Sequence, residues 1–236
     1  MNYLVLAMKR SGHHAIMNWI QAFTRQPIYN NCCFGWPEKK LLTMRGRKEA
    51  VDGITNIEDF NPDYWKEYDF PSFPFLKNCK VIVFIRNLNN WLASSYVRKL
   101  QNNEERKDVY KYLRVSYTND SKLKSLSRID IYCKQLVFVD SSFVVPVTFE
   151  EFINDKMYRM KIADTLKLKW NANADASIKI PSTYGGGSSF NGLLKYTTNV
   201  LNRERYFKDD SEFQDLLKYA ENKINKIGKS NVLCNK

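Results

Sequence analysis

Tyr3-Leu4-Val5-Leu6-Ala7-Met8-Lys9-Arg10-Ser11-Gly12-His13-His14-Ala15-Ile16 stands near the start of the chain and decides its fold. The run from Tyr3 to Met8 is uniformly apolar, the pattern of a strand buried on both faces of a sheet. It breaks at Lys9-Arg10-Ser11-Gly12-His13-His14. Beyond the break, Ala15, Ile16, Trp19, Ile20 and Phe23 recur at helical spacing. A strand, a short basic loop and a helix N-terminus make an anion cradle. The first-turn N–H groups lack intrahelical acceptors, and the helix dipole favours negative charge beside them. Arg10 adds a permanent forked cation. The loop is not a Walker A motif, which needs an earlier glycine, and no Gly precedes Gly12. Taken alone, these residues are equally compatible with a plain strand-turn-helix carrying a solvated Lys9-Arg10 pair.

Two further segments repeat the strand-then-helix theme. Lys80-Val81-Ile82-Val83-Phe84-Ile85 is a β-branched run of the kind buried in parallel sheets. Arg86 follows at its C-terminal end, and a helix carrying Trp91, Leu92, Ser94, Ser95 and Tyr96 comes next. Open α/β sheets bind ligands at the C-terminal ends of their strands, where Arg86 projects and Ser94 can reach the same ligand. A surface charge and a packing serine would read the same way. The third segment, Phe143 to Phe149, is a strand pattern running into Glu150-Glu151-Phe152-Ile153-Asn154-Asp155. A helix is expected from Lys156, with Met160, Ala163 and Leu166 at core spacing and Leu166-Lys167-Leu168 closing it.

With these segments in hand, the chain resembles the sulfotransferases that use 3′-phosphoadenosine-5′-phosphosulfate (PAPS). Arg10-Ser11-Gly12-His13-His14 is similar to the family's Lys/Arg-Ser-Gly-Thr/Ser-Thr loop, which holds the 5′-phosphosulfate. Arg86 and Ser94 reproduce the Arg-then-Ser spacing that holds the 3′-phosphate. Phe149-Glu150-Glu151-Phe152 with Asp155 is similar to Tyr-Glu-Asp-Leu and the Asp beyond it. The matches stand in family order. There are departures: His13 and His14 replace the two hydroxyl residues, and Ala15 stands where an aromatic residue often stacks on adenine. The family's closing Gly-rich segment has only a loose counterpart in Tyr184-Gly185-Gly186-Gly187-Ser188-Ser189-Phe190-Asn191-Gly192. Three consecutive glycines permit close approach to a ligand, and successive N–H groups with two serines can form an anion nest. Gly186, Gly187, Ser188 and Ser189 are therefore candidate nucleotide contacts, with Phe190 or Tyr184 against adenine. A plain surface loop is the competing account.

The expected fold is one α/β domain over residues 1–236, a three-layer P-loop-like sandwich with a central, mostly parallel sheet flanked by helices. The resemblance implies sulfuryl transfer from PAPS to a hydroxyl or amine, leaving PAP, with no metal. Arg10, Ser11, Gly12, His13 and His14 would hold the phosphosulfate, and Arg86 and Ser94 the 3′-phosphate. Such transfer depends on positioning and charge stabilisation. It also implies a His or Glu base between the loop and the 3′-phosphate strand. Glu58 is preferred, at the end of a possible short strand within Ala50–Ile57; Asp59, Asp52 and His14 are the other candidates. The irregular stretch from Asn30 to Pro74 is the expected acceptor-binding part, a glycan or small molecule being the acceptor class.

Composition bounds the alternatives. At 236 residues, 44% hydrophobic and 26% charged, the chain can bury a sizeable core and is not a disordered protein. No run reaches transmembrane length, and the first strand begins too early for a signal peptide. Five cysteines without metal or disulfide spacing fit reduced thiols and a cytoplasmic setting. Two histidines alone argue against a histidine-rich metal site. The net charge of +12 suits polyanionic partners, but the lysines are dispersed and no RNA-binding motif is present, which argues against nucleic acid. A nucleotide-dependent phosphotransferase and a non-catalytic anion or nucleic-acid binder on the same scaffold are the competing functions. Elsewhere, Asn102–Ser127 reads as a helix-loop excursion, and Arg128 opens a helix through Ile131, Leu136 and Phe138. Ser211 with Gln214 reads as a capping box before a helix bearing Phe213, Leu216, Leu217, Ala220 and Ile224.

Overall fold

A computed structural model of the chain describes residues 1–35, 38–44, 48–67, 69–101, 113, 126–179 and 201–228. In chain order the elements are β1 (Asn2–Ala7), α1 (His14–Thr24), β2 (Ile28–Tyr29), β3 (Cys32–Gly35), β4 (Lys40–Thr43), β5 (Ile54–Glu58), α2 (Asp63–Glu67) and β6 (Cys79–Ile85). Then come α3 (Leu88–Gln101), α4 (Arg128–Phe138), β7 (Val144–Thr148), α5 (Phe149–Asn154), α6 (Lys156–Thr165), α7 (Ala172–Asp175) and α8 (Ser211–Lys226). Short 3₁₀ turns occupy Phe70–Ser72, Pro74–Asn78, Ala176–Lys179 and Arg203–Phe207. The chain forms two compact units: Met1–Ile85 with Phe138–Gly187, and Arg86–Val137 with Ser188–Lys236. Among the described residues, no helix is long and apolar enough to cross a membrane.

The first unit is built on a five-stranded sheet of order β2-β5-β1-β6-β7, every pairing parallel. It is flanked by helices, the α/β class expected from the apolar runs. β1 is central, and Leu4, Val5, Leu6 and Ala7 are fully buried, as a strand covered on both faces must be. Among the described residues, β7 pairs only with β6, so Pro146 within it removes no ladder bond from a second described neighbour. β5 and β6 lie on opposite sides of β1, although the chain passes from β1 through β5 to β6. The strand order therefore reverses around β1, and in open α/β sheets ligands collect outside the carboxyl ends of strands at such a reversal. The loop from Met8 to His13 leaves β1 at that end.

α1 buries Ile16, Met17, Trp19 and Ile20; of the expected face, Ala15 and Phe23 are only half-buried, and Met17 is buried in addition. Trp19 Nε1 donates to Asp175 Oδ1 at 2.9 Å. Arg159 grips the same carboxylate with two bonds, Nε to Oδ1 at 2.7 Å and Nη2 to Oδ2 at 3.0 Å. This buried pair ties α1, α6 and α7 together. The Asn30–Pro74 stretch is more regular than its composition suggested: it holds the antiparallel β3–β4 hairpin, β5 and α2. Its rings form a cluster in which Phe60, Trp65 and Phe70 meet Phe138 and Phe143, with Trp65 stacked on Phe143 at 5.0 Å.

In the second unit, Tyr96 of α3 lies edge-on to Phe207 and Phe213, Trp91 stacks on Tyr132 of α4 at 4.8 Å, and Lys223 of α8 bonds Asp130 of α4.

Three local expectations are corrected. Phe149 opens α5 instead of ending β7; Glu150 and Glu151 in the first turn favour helix there through the dipole. The cap of α8 is Asp210, whose side chain accepts from Phe213 N, so Ser211 is the first helical residue and Gln214 bonds Phe207 O instead of closing a capping box. β5 runs one residue further than expected, making Glu58 its last residue. Most of Asn102–Ser127, and all of Tyr184–Gly192 with Gly185, Gly186, Gly187, Ser188 and Ser189, lie outside the described residues.

Candidate functional site

The loop after β1 is held by its own backbone and by the neighbouring strand. Ser11 N donates to Met8 O at 3.1 Å and Ala15 N to Gly12 O at 3.0 Å. Lys9 N donates to Asp59 Oδ1 at 2.9 Å, while Asp59 N returns a bond to Ala7 O at 2.8 Å. Arg10 adopts φ 70°, a conformation costing an L residue roughly 1–2 kcal/mol, and such outliers gather at functional sites. Gly12 has φ 86°, and a Cβ built there would lie 2.5 Å from Phe149 Cε2. Glycine is required twice over, by conformation and by the ring against it. At the start of α1, His13 occupies the cap position without a side-chain cap bond, and the first turn carries no acid. The helix N-terminus thus keeps the character of an anion site.

Instead of capping, the His13 ring turns inward. Its Nδ1 lies 3.3 Å from Ser11 Oγ. Its Nε2 lies 3.0 Å from Asn56 Nδ2 and 3.3 Å from Glu58 Oε1. These two neighbours make opposite demands, since the amide requires an acceptor and the carboxylate a donor. Asn56 cannot flip to resolve the conflict without losing the bond its Oδ1 accepts from Asn31 N at 2.8 Å. Register places Glu58 here, because β5 pairs with β1 so that Glu58 stands opposite Ala7, the last strand residue before the loop. Lys9 Nζ lies 3.8 Å from Glu58 Oε2.

Burial works to raise the Glu58 carboxyl, but its hydrogen bond with His13 and the charges of His13 and Lys9 outweigh this and hold it below the ordinary range. Glu58 is therefore ionised at neutral pH. His14 is driven the other way: burial and the neighbouring His13, with a further push from Arg10 and against the pull of Glu58, bring it to about 4. Its imidazole is neutral at pH 7. One ligand-capable atom from each of His13, His14 and Glu58 lies within 4.8 Å of the others. The third group, Glu58, comes from β5, distant in sequence from the two histidines.

The other base candidates sit differently. Asp59 is engaged by the Lys9 amide. Asp52 precedes β5, at the end of the strand opposite Glu58.

Arg86 and Ser94 meet in the second unit, where Arg86 Nη1 donates to Ser94 Oγ at 3.0 Å. The Arg86 carbonyl accepts from Tyr132 OH at 2.6 Å, which anchors the backbone beneath the guanidinium. Arg203, which the sequence reading passed over, donates Nη1 to the same Ser94 Oγ at 2.8 Å. Asn90 fixes it: Asn90 Oδ1 accepts from Arg203 N at 2.9 Å, and Asn90 Nδ2 donates to Leu201 O. Arg86, Asn90, Ser94 and Arg203 are all buried. Two guanidiniums on one hydroxyl make a donor-rich positive point suited to a phosphate dianion. In the sequence Arg203 sits within an ordinary charged run, Asn202-Arg203-Glu204-Arg205, which carries no signal of this role.

No family model matches the chain, and no curated protein matches it by sequence. Its fold is similar to that of mouse sulfotransferase SULT7A1 in a crystal structure with PAP: the TM-score is 0.53 at 16% identity, over 92% of this chain and 88% of that one. A sulfotransferase domain from the curacin biosynthetic pathway aligns over 92% of this chain and 96% of that one, with a TM-score of 0.46 and 12% identity. The chain has the sulfotransferase fold.

Proposed function

We propose that the chain is a sulfotransferase that takes its sulfuryl group from PAPS and delivers it to a hydroxyl or amine of an acceptor, a glycan or small molecule. The observation that carries this reading is the convergence of Arg86 and Arg203 on Ser94 immediately after β6. The 3′-phosphate distinguishes PAPS from ATP, and a paired-guanidinium point gives it a dedicated partner. The sulfotransferase fold and the PAP held by SULT7A1 support the reading.

PAPS supplies the sulfuryl group, which passes in line to the acceptor oxygen or nitrogen as PAP departs. The chain's residues position and neutralise. The first-turn N–H groups of α1 and the Arg10 guanidinium take the charge growing on the leaving 5′-phosphate. Arg86, Ser94 and Arg203 hold the 3′-phosphate. Glu58, ionised beside the loop, receives the acceptor's proton, and His13 with Asn56 holds its carboxylate in place.

Calorimetry with PAP and adenosine 5′-phosphate tests this. Charge-assisted bonds to the 3′-phosphate are worth ~1.5–3 kcal/mol, so PAP should bind at least about tenfold more tightly. Arg203→Ala should remove most of that difference. Equal affinity of the unaltered protein for the two nucleotides overturns the assignment.

A further inference from the structure

His13, His14 and Glu58 offer two imidazole nitrogens and one carboxylate oxygen within 4.8 Å of one another. That donor set, with a fourth position open, is the type found in catalytic zinc sites, where Zn–N and Zn–O bonds are about 2.0–2.2 Å. A tetrahedron with such bonds has edges of roughly 3.3–3.6 Å. His13 Nε2 and Glu58 Oε1, 3.3 Å apart, already span one edge. The Nδ1 of His14 is buried and makes no hydrogen bond, so turning that ring toward the other two breaks nothing at that atom. Ser11 Oγ, 3.3 Å from His13 Nδ1, can accept its proton and leave the Nε2 lone pair for a metal, the outer-shell arrangement that orients ligating histidines. A cation between Nε2 and Glu58 gives the carboxylate a positive partner, while it takes the Nε2 lone pair from the Asn56 amide at 3.0 Å and displaces Lys9 Nζ, 3.8 Å from Glu58. The Lys9 side chain is half exposed and can swing to solvent. Two imidazoles favour zinc, cobalt and nickel over oxygen-seeking magnesium or calcium.

We propose that His13, His14 and Glu58 form a binding site for a zinc-class divalent cation. Resting on the sulfotransferase reading above, the proposal extends to control: a bound metal withdraws Glu58 from proton abstraction, so occupancy inhibits sulfuryl transfer.

The chain's only two histidines are both in this site, so imidazole NMR resonances report on it alone. Chelator-treated protein is titrated with cobalt(II) chloride and followed by visible absorption and by imidazole NMR, with zinc chloride as competitor. The expected result is saturable one-to-one binding with a nitrogen/oxygen-type cobalt spectrum, strong paramagnetic shifts of both imidazoles, and displacement by zinc. His14→Ala and Glu58→Gln should each weaken binding at least about tenfold, since loss of even an outer-shell partner costs ~10–100-fold. A thiolate charge-transfer band, unshifted imidazoles, or variants that bind as the parent does would each overturn the site. Should a variant fail to fold, the imidazole shifts in the unaltered protein decide alone. The two readings separate: cobalt binding without PAP binding keeps the site and removes the transferase reading. PAP binding with transfer unaffected by saturating zinc removes the inhibitory extension.

Discussion

Gly12→Ala is expected to destabilise the protein by about 2–5 kcal/mol, from two separable causes. Gly12 has φ 86°, and an L residue held in left-handed backbone costs roughly 1–2 kcal/mol. The added Cβ would also meet Phe149 Cε2 at 2.5 Å and Cδ2 at 2.8 Å. Phe149 is buried and packs edge-on to Phe84 of β6, so the ring cannot swing away freely; overpacking of this kind costs about 1–3 kcal/mol. Phe149→Val removes every ring atom that the Cβ would strike. Its own cost should fall below the ~3–5 kcal/mol of a Phe→Ala truncation. In the double variant the steric part vanishes and the backbone part persists, so the double-mutant cycle should show a favourable coupling of about 1–3 kcal/mol. Urea unfolding of the four proteins, with m-values compared, measures all of these. A Gly12→Ala protein within about 0.5 kcal/mol of the parent refutes the conformational argument, and strict additivity refutes the contact with Phe149.

Two more expectations follow from the other clusters. In metal-free buffer, Glu58→Gln should lower turnover by ~10²–10⁴-fold, the usual worth of a general base, with PAP affinity little changed; if Asp59→Asn is inactive and Glu58→Gln is not, the base is Asp59. Asp175→Asn should cost about 3–5 kcal/mol at neutral pH, because it leaves the Arg159 guanidinium buried without its carboxylate. Burial pushes the Asp175 carboxyl up, but Arg159 and Trp19 pull it further down, so its folded value lies below the unfolded ~3.9. The stabilisation is then complete above pH ~4 and disappears as pH falls through the lower folded value. Denaturation curves of the two proteins should converge in acid; a gap that stays constant from neutral pH to pH 2 contradicts the assignment.

Local pattern was sufficient for the parts of this protein that local chemistry controls. Tyr3–Met8 and Val81–Ile85 are apolar without alternation, which only a strand covered on both faces tolerates, and the structure places both in the sheet interior. Ser11-Gly12 between strand and helix marked the loop, since positive φ and a close neighbour both call for glycine. The errors at Phe149 and Ser211 were of one or a few residues, where the helix start depends on first-turn acids in one case and on the Asp210 cap in the other.

Contacts across sequence distance were another matter. Arg203 reaches Ser94 across a sequence separation of 109, and no periodicity links the two. Glu58 was nameable as an acid in the right interval, but its partnership with His13 exists because β5 pairs with β1 in a register that sets Glu58 against Ala7. One residue of slip would turn Glu58 to the other face of the sheet. Likewise, the depressed carboxyl of Glu58 and the neutral imidazole of His14 follow from burial and from charges on neighbouring elements. Residue type and spacing select which elements form. Register and packing decide which polar atoms share a buried space, and a side chain's chemistry is set there.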